Sequence, residues 1–215
     1  FKFVEFKANE FIKVAKNPNY WKQGRPFLDG VEYTIITSRS TAVLAFLAGN
    51  GDMSFPYDWT IPIAKDVMSQ APKAHCDIGP TNVSTNLIVN RESPPFDSSD
   101  VRKAMALALD RKAFIDILSE GKADIGGAML PSPEGVWGMP KQMLVTLPGY
   151  DPDLNKNRLQ ARAIMQKLGY SPEKRLKVKI ATRNIPVYRD PAVILIDQLK
   201  EIFVDAEMEV VETSI

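Results

Sequence analysis

Alternating apolar and polar positions open the chain and predict a β-hairpin. In FKFVEFK, Phe1 and Phe3 flank Lys2, and in FIKVAKN aliphatic residues alternate with lysines. A period of two places successive side chains on opposite faces of a strand. Because turn-forming residues separate these two runs, we expect two antiparallel strands. The run VEYTIIT at 31–37 predicts a third strand.

Later runs carry apolar residues three and four positions apart, which indicates amphipathic helices. The clearest has Val101, Ala104, Met105 and Ala108 on one face. Capping residues and glycines set the helix limits. The predicted helices are 41–48 with Ser40 as N-cap, about 62–70 with Pro62 in the first turn, 101–108, a helix from the N-cap Asp110 to Gly121, 155–168 before Gly169, and 191–204.

The C-terminal part predicts a βαβ unit, because strand 176–182, helix 191–204 and the alternating run EMEVVET at 207–213 follow one another. The fold class is therefore α/β, or mixed α+β, with helices covering a mixed or parallel sheet. The stretch TNVSTNLIVN at 81–90 is typical of an extended crossing segment. We place a boundary there, so that residues 1–80 form part of a first lobe and 81–215 a second lobe.

Composition removes several functional classes. Hydrophobic residues make up 45% and charged residues 25%, and the net charge is +1, which gives no field for gathering polyanions. We therefore expect no nucleic-acid partner. The basic residues at 174–179 alternate with apolar ones, which predicts the wet face of a strand. One cysteine excludes an intrachain disulfide and a Cys-rich zinc site.

The sequence contains no convincing set of residues for catalysis, metal binding or cofactor binding. The single histidine, His75, adjoins the single cysteine, Cys76, but neighbours on a strand point to opposite faces and do not form a nucleophile and base pair. His75 with Asp77 falls short of a metal-ligand set. Gly126-Gly127 lacks the rest of a phosphate loop. We predict no enzyme activity, no metal and no cofactor.

Three stretches in order resemble the family 5 extracellular solute-binding proteins, which include dipeptide, oligopeptide and nickel receptors. FKFVEFKANEFIKVAKNPNYWKQGRPFLDGVEYTII is similar to the family's strand pair, N-P-x-Y-W turn and following strand. DSSDVRKAMALALDRKAFID resembles its V-R-x-A-[LM]-x-x-A-[LI]-D-R helix pair. YDPDLNKNRLQARAIMQKLGY resembles its Y-D-P-x-x-A-x-x-L-L-x-x-x-G-Y helix, although residues 153–156 depart from the usual spelling.

The resemblance implies part of a two-lobed clamp of the periplasmic-binding-protein kind. Such a receptor captures a small, peptide-like solute outside the cytoplasmic membrane and delivers it to the permease of an ABC importer. It implies a periplasmic or extracellular protein, monomeric at full length, with a signal peptide upstream of residue 1. The alternative is the solute-sensing domain of a transcription regulator.

Candidate ligand-binding residues follow strand 176–182. Ligands of open α/β sheets lie beyond the carboxyl ends of the strands, where the sequence places Arg183, Asn184, Tyr188 and Arg189. The resemblance implies a carboxylate-binding arginine in this loop, either Arg183 or Arg189. The alternative is an arginine paired on the surface with an aspartate at 190 or 197.

Further candidates come from aromatic residues and from the crossing segment. Tyr57 and Trp59 lie in a proline-flanked loop, Asn86 lies in the crossing segment, and Trp137 is similar in position to a Trp-Gly loop of the family. Pockets for small solutes are mostly apolar walls with a few fixed polar groups. The alternative role for Trp59 is packing in the core. The alternative role for Trp137 is packing within its own loop, which it would stabilise.

Overall fold

The computed structural model describes residues 1–55, 59–79, 83–127 and 138–212. The chain forms two compact units, of which the first comprises Phe1–Trp59 with Ile63–His75 and the second comprises Thr60–Pro62 with Cys76–Ile215. A bilayer span needs a helix of about 20 apolar residues. Within the described ranges, no helix has both the length and the apolar character for this.

The first unit contains the predicted hairpin. Strands β1 (Lys2–Lys7), β2 (Phe11–Ala15) and β3 (Gly30–Thr34) form an antiparallel sheet in the order β1-β2-β3. Asn9, in the turn between β1 and β2, has a positive φ of 61°, which asparagine tolerates better than most residues. The third strand ends at Thr34, so its predicted extension to residue 37 is wrong.

Two helices follow this sheet, α1 (Arg39–Leu47) and α2 (Ile61–Gln70). The N-cap of α1 is Ser38, whose hydroxyl accepts a hydrogen bond from the Thr41 amide at 3.4 Å. The prediction of Ser40 as the cap is wrong, because Ser38 has the extended backbone of a cap and Ser40 is already helical. The predicted second helix, with a proline in its first turn, is confirmed.

The second unit is mainly helical. Its helices are α3 (Ser99–Ala108), α4 (Arg111–Ser119), α5 (Lys141–Leu144), α6 (Leu154–Lys167) and α7 (Pro186–Lys200). The predicted cap Asp110 is confirmed, since its carboxylate accepts a hydrogen bond from the Ala113 amide at 3.1 Å. Gly169 follows α6 with φ of 86°, a conformation that suits glycine at a helix end. The short α5 was not predicted.

The βαβ unit is confirmed, because β4 (Leu176–Arg183) and β5 (Val204–Val211) pair in parallel on either side of α7. However, α7 begins at Pro186 and not at 191. Pro186 occupies the first turn, where a proline has no hydrogen bond to lose, and the buried Pro191 is accommodated inside the helix. Tyr188 and Arg189 therefore lie in the first turns of α7, not in a loop.

The core of the second unit lies where α3 packs on α6 and where α7 covers the β4-β5 sheet. The predicted apolar face of α3 is buried. The buried Gln198 of α7 connects this core to the α3-α4 junction. Its amide accepts from the Asp110 backbone N–H at 2.8 Å and donates to the Asp110 carbonyl at 3.2 Å.

Candidate functional site

A cavity of about 770 Å³ lies within the second unit. One wall is the carboxyl-terminal half of β4 and another is the segment 83–89, while α3, α4 and α7 supply apolar side chains. The loop 123–127 and Tyr150 complete the lining. A volume of this size and a mainly apolar lining with a few polar groups are typical of sites for small ligands.

Three of the predicted ligand-binding residues line this cavity, namely Asn86, Arg183 and Tyr188. Arg183 is the last residue of β4, and its guanidinium carbon lies 5.3 Å from the centre of the Tyr188 ring. At this distance a cation–π interaction holds the guanidinium beside the ring. The geometry thus puts a cation and an aromatic face together at the carboxyl end of the strand.

Arg189 and Asn184 form a separate pair outside the cavity lining. Arg189 Nη1 donates to Asn184 Oδ1 at 3.4 Å, and Arg189 Nε lies 3.5 Å from Asp190 Oδ1. Asp197 instead lies 3.5 Å from the ammonium of Lys200. The surface pairing considered for one arginine is therefore the arrangement of Arg189 with Asp190, whereas Arg183 is the one of these two arginines that lines the cavity.

The segment 83–89 brings Asn86 to the cavity. It has no regular secondary structure and belongs to neither sheet, and the Asn86 amide donates to the Ser84 carbonyl at 3.1 Å. The hydroxyl oxygen of Ser84 is buried without a hydrogen-bond partner. A buried polar atom without a partner is unusual in folded proteins. Ser84 lines the cavity, but its hydroxyl oxygen itself is closed off from solvent.

Contacts of Arg111 and Tyr150, which the sequence did not predict, hold another part of the cavity wall in place. Arg111 Nη1 donates to the Gly149 carbonyl at 2.6 Å, and its guanidinium lies 4.0 Å from the centre of the Tyr150 ring. The Tyr150 hydroxyl donates to the Gly126 carbonyl at 3.1 Å. A Cβ on Gly149 would lie 1.9 Å from the Ala106 carbonyl oxygen, so only glycine fits there. Arg111 and Gly149 are 38 positions apart in the sequence, and no motif or spacing indicated this contact.

The remaining predicted residues lie elsewhere. Trp59 belongs to the first unit, where it packs edge to face on Phe46 with ring centres 5.4 Å apart, and its indole N–H is buried without a partner. This contact supports the packing interpretation, and a ligand-binding role for Trp59 stays a prediction. Tyr57 and Trp137 lie outside the described residues.

Titratable groups near the cavity do not assemble a metal site. Among the described residues, no three His, Cys, Asp or Glu side chains group as metal ligands would. His75 is exposed and Cys76 is a partly buried free thiol. Away from the cavity, a hydrogen bond from Lys156 lowers the pKa of the Asp151 carboxyl. That pair stabilises the start of α6, so its shifted pKa has a structural cause.

Comparison with known proteins finds relatives that are named as binding proteins. The chain is 27% identical to the oligopeptide-binding protein AppA of Bacillus subtilis over all of its own length and 39% of that protein's length. It is 30% identical to heme-binding protein A of Haemophilus influenzae, over 79% of this chain and 28% of the relative. The chain therefore spans well under half the length of these relatives.

The fold is similar to that of a solved binding protein. The ABC transporter-associated periplasmic binding protein DppA from Helicobacter pylori, in complex with the peptide STSA, superimposes with a TM-score of 0.70 at 24% identity, over 100% of this chain and 38% of that one. The predicted membership of a partial, two-lobed binding-protein fold is confirmed. Residues 1–214 match the model of the bacterial extracellular solute-binding proteins, family 5 middle. The chain therefore belongs to the family 5 extracellular solute-binding proteins.

Proposed function

We propose that this chain is part of a receptor that captures a small, peptide-like solute outside the cytoplasmic membrane and delivers it to the permease of an ABC importer. The observation that carries the proposal is Arg183 at the end of β4, beside the Tyr188 ring and on the same cavity as Asn86. Family membership supports binding as the activity and gives no reason to expect bond chemistry.

The ligand chemistry follows from Arg183. A guanidinium offers a planar fork of donors that matches a carboxylate, and the first turn of α7 adds partial positive charge nearby. Among the relatives are an oligopeptide-binding protein and a glutathione-binding protein from Pectobacterium atrosepticum. Peptides and glutathione carry carboxylates. We therefore assign Arg183 to the carboxylate of the solute and Asn86 to a polar group of its backbone.

The mechanism of this receptor is closure of two lobes on the solute. Residues 1–80 contribute to one lobe and 81–215 to the other, and hinge bending presents the closed form to the permease. Trp59, Tyr57 and Trp137 remain predicted ligand-binding residues of this receptor. An export signal upstream of residue 1 and a monomeric full-length protein belong to the same proposal. The relatives, which carry binding-protein names, give no support to the alternative of a transcription regulator.

Calorimetric titration of the full-length protein with tetraalanine and with glutathione tests the assignment. Replacing Arg183 with alanine should weaken binding of at least one of these probes by about 1.5 to 3 kcal/mol, because a charge-assisted hydrogen bond is lost. Arg189→Ala is the matched control and should bind within about twofold of the parent, since Arg189 is paired with Asn184 and Asp190.

A second control separates the carboxylate from the rest of the ligand. Tetraalanine amide, which lacks the terminal carboxylate, should bind the parent as weakly as tetraalanine binds the Arg183 variant. Equal affinities of the parent and the Arg183 variant for every carboxylate probe would show that the anchor lies elsewhere. Circular dichroism of both variants checks that the fold is retained.

A further inference from the structure

Arg183 differs from the other residues on its face of β4. Lys177, Lys179 and Ala181 lie on this face and are exposed, whereas Arg183 is partly buried. In a strand every second side chain shares a face. The alternation of β4 alone would therefore leave the Arg183 guanidinium in solvent. Its partial burial shows that an element beyond the strand contacts it.

The start of α7 supplies one such contact. The Ile185 amide donates to the Arg183 carbonyl at 2.8 Å, and the amides of Tyr188 and Arg189 donate to the Ile185 carbonyl, each at 2.9 Å. Pro186 fixes the backbone in the first turn of the helix. The chain therefore turns within a few residues of the strand, and the centre of the Tyr188 ring lies 5.3 Å from the Arg183 guanidinium carbon.

The surroundings of Arg183 make this ring contact electrostatically important. Arg183 precedes Ile185, the N-cap of α7, by two residues. The N-terminus of a helix carries partial positive charge, which disfavours a cation close to it. The face of an aromatic ring is negative and attracts a guanidinium. The Tyr188 ring therefore offsets part of this repulsion and favours the positions of the guanidinium that lie beside it.

Contact with a ring is compatible with carboxylate binding by the same guanidinium. The N–H groups of a guanidinium lie in one plane, and a carboxylate accepts two parallel hydrogen bonds in that plane. A ring that restricts the guanidinium before binding also reduces the conformational entropy lost when the carboxylate binds. Tyr188 is 40% exposed and lines the same cavity as Arg183, so its ring lies where a bound solute would meet the guanidinium.

We propose that Tyr188 is a positioning residue of the solute site, whose ring holds the Arg183 guanidinium in the orientation that binds a carboxylate. Tyr188 then determines how strongly the site prefers a solute with a free carboxylate over the corresponding amide, without itself forming a hydrogen bond to the solute. This role rests on the proposed assignment of Arg183 to the solute carboxylate. It requires the aromatic ring of Tyr188 and not its phenolic hydroxyl.

Labelling of arginine with phenylglyoxal tests the ring contact without any solute. Peptide-level mass spectrometry follows the reaction of Arg183 in the full-length protein and in its Tyr188→Leu and Tyr188→Phe variants. We expect Arg183 to react at least ~2-fold faster in the leucine variant and at the parent's rate in the phenylalanine variant, because only leucine removes the ring. Arg189 is the internal control, since its partners are Asn184 and Asp190. An unchanged rate for Arg183 in the leucine variant, or equal acceleration of both arginines, would overturn the inference.

Calorimetric titration of the full-length protein tests the effect on binding. The probes are tetraalanine and glutathione, each compared with its counterpart whose carboxylates are amidated. Tyr188→Leu should weaken binding of a carboxylate probe by about 3- to 10-fold and change binding of the amide by less than about 2-fold, because the ring acts through Arg183. Tyr188→Phe should restore the parent's affinity. In a protein that already carries Arg183→Ala, Tyr188→Leu should have no further effect. Tyr33→Leu is the matched control and should bind like the parent, because Tyr33 is exposed on β3 of the first unit.

Each negative result has a distinct meaning. If Arg183→Ala leaves the affinity for every carboxylate probe unchanged, the assignment of Arg183 fails and the role of Tyr188 fails with it. If Arg183→Ala weakens binding and Tyr188→Leu does not, the assignment of Arg183 stands and the role of Tyr188 is wrong. Equal weakening of a carboxylate probe and its amide by Tyr188→Leu would show that the ring contacts the solute itself. An equal loss in Tyr188→Phe and Tyr188→Leu would assign the effect to the hydroxyl. Either of these last two results would also overturn the positioning role.

Discussion

Gln198 shows how one side chain connects elements that are distant in the sequence. It lies on the buried face of α7, and its amide forms two hydrogen bonds with the backbone of Asp110, 88 residues away. Asp110 lies in the short connection between α3 and α4, and its carboxylate caps α4. A single amide therefore satisfies the backbone groups of a helix junction inside the core, where water does not replace them.

Replacing Gln198 with leucine should lower the free energy of unfolding by about 1 to 3 kcal/mol. The substitution keeps the side-chain volume but leaves a backbone donor and acceptor without partners. Gln166→Leu is the matched control, because Gln166 is exposed on α6. Urea denaturation of the three proteins measures the difference. Equal losses in both variants would contradict the buried role of Gln198.

Individual residues could be predicted from sequence where their partners are local. Asp110 was predicted as an N-cap because the capped amide lies three residues along the chain. The pairing of Gln198 with Asp110, and the choice of Arg183 over Arg189 at the cavity, depend on packing between elements. No spacing in the sequence encodes such distances, so they required the structure.

The start of α6 combines several local interactions. Asp153 caps the helix by accepting from the Lys156 amide at 3.0 Å, and the buried Asn157 donates to the Asp151 carbonyl at 2.8 Å. The Lys156 ammonium also binds the Asp151 carboxylate. These contacts fix the chain as it enters the helix, so that Ala161 and Met165 face α3 in the core.

The capping interaction at the start of α6 can be removed by a single substitution. Asp153→Ala should destabilise the protein by about 1 kcal/mol, since the Lys156 amide loses its acceptor at the helix terminus. Asp205→Ala is a suitable control, because Asp205 is an exposed residue of β5. Thermal unfolding followed by circular dichroism compares the two variants. A loss no larger than that of the control would show that the cap is dispensable.

The sequence correctly predicted the type and approximate position of elements with strong periodicity. It did not predict the residues at which they begin and end. The apolar stripe of α3 and the alternation of β4 gave correct assignments because each element buries one face. The start of α7 was misplaced by five residues, since the residues after β4 were predicted to stay in a loop as far as 190. The packing that buries Pro191 inside the helix is a tertiary effect that outweighs the local cost of a proline.

At the scale of the whole chain, the cavity arises from segments that are far apart in sequence. Its walls come from 83–89, 123–127 and the end of β4, which only the packing of α3, α4 and α7 brings together. The sequence predicted that ligand-binding residues would follow β4, because this is a general property of open α/β sheets. Asn86 was also a predicted ligand-binding residue, but its distance from Arg183 is a long-range property that the sequence did not give.

The two units differ in how much apolar surface they bury, and this difference should appear in their dynamics. The main apolar cluster belongs entirely to the second unit, whereas the buried hydrophobic residues described in the first unit are Ala64 and Val67. All six residues of β1 are exposed. Segments with few buried contacts open at low free-energy cost, so their amides exchange faster.

In the chain of residues 1–215, we expect backbone amides of β1 and β2 to exchange at least ~10-fold faster than those of α3 and α6, because only the latter are anchored in a packed core. Hydrogen–deuterium exchange with peptide-level mass spectrometry measures both sets in one experiment, and α4, which has no fully buried residue, serves as an internal control for a helix at the edge of the core cluster. Comparable protection of β2 and α6 would contradict the idea that the second unit alone carries the stable core of this chain.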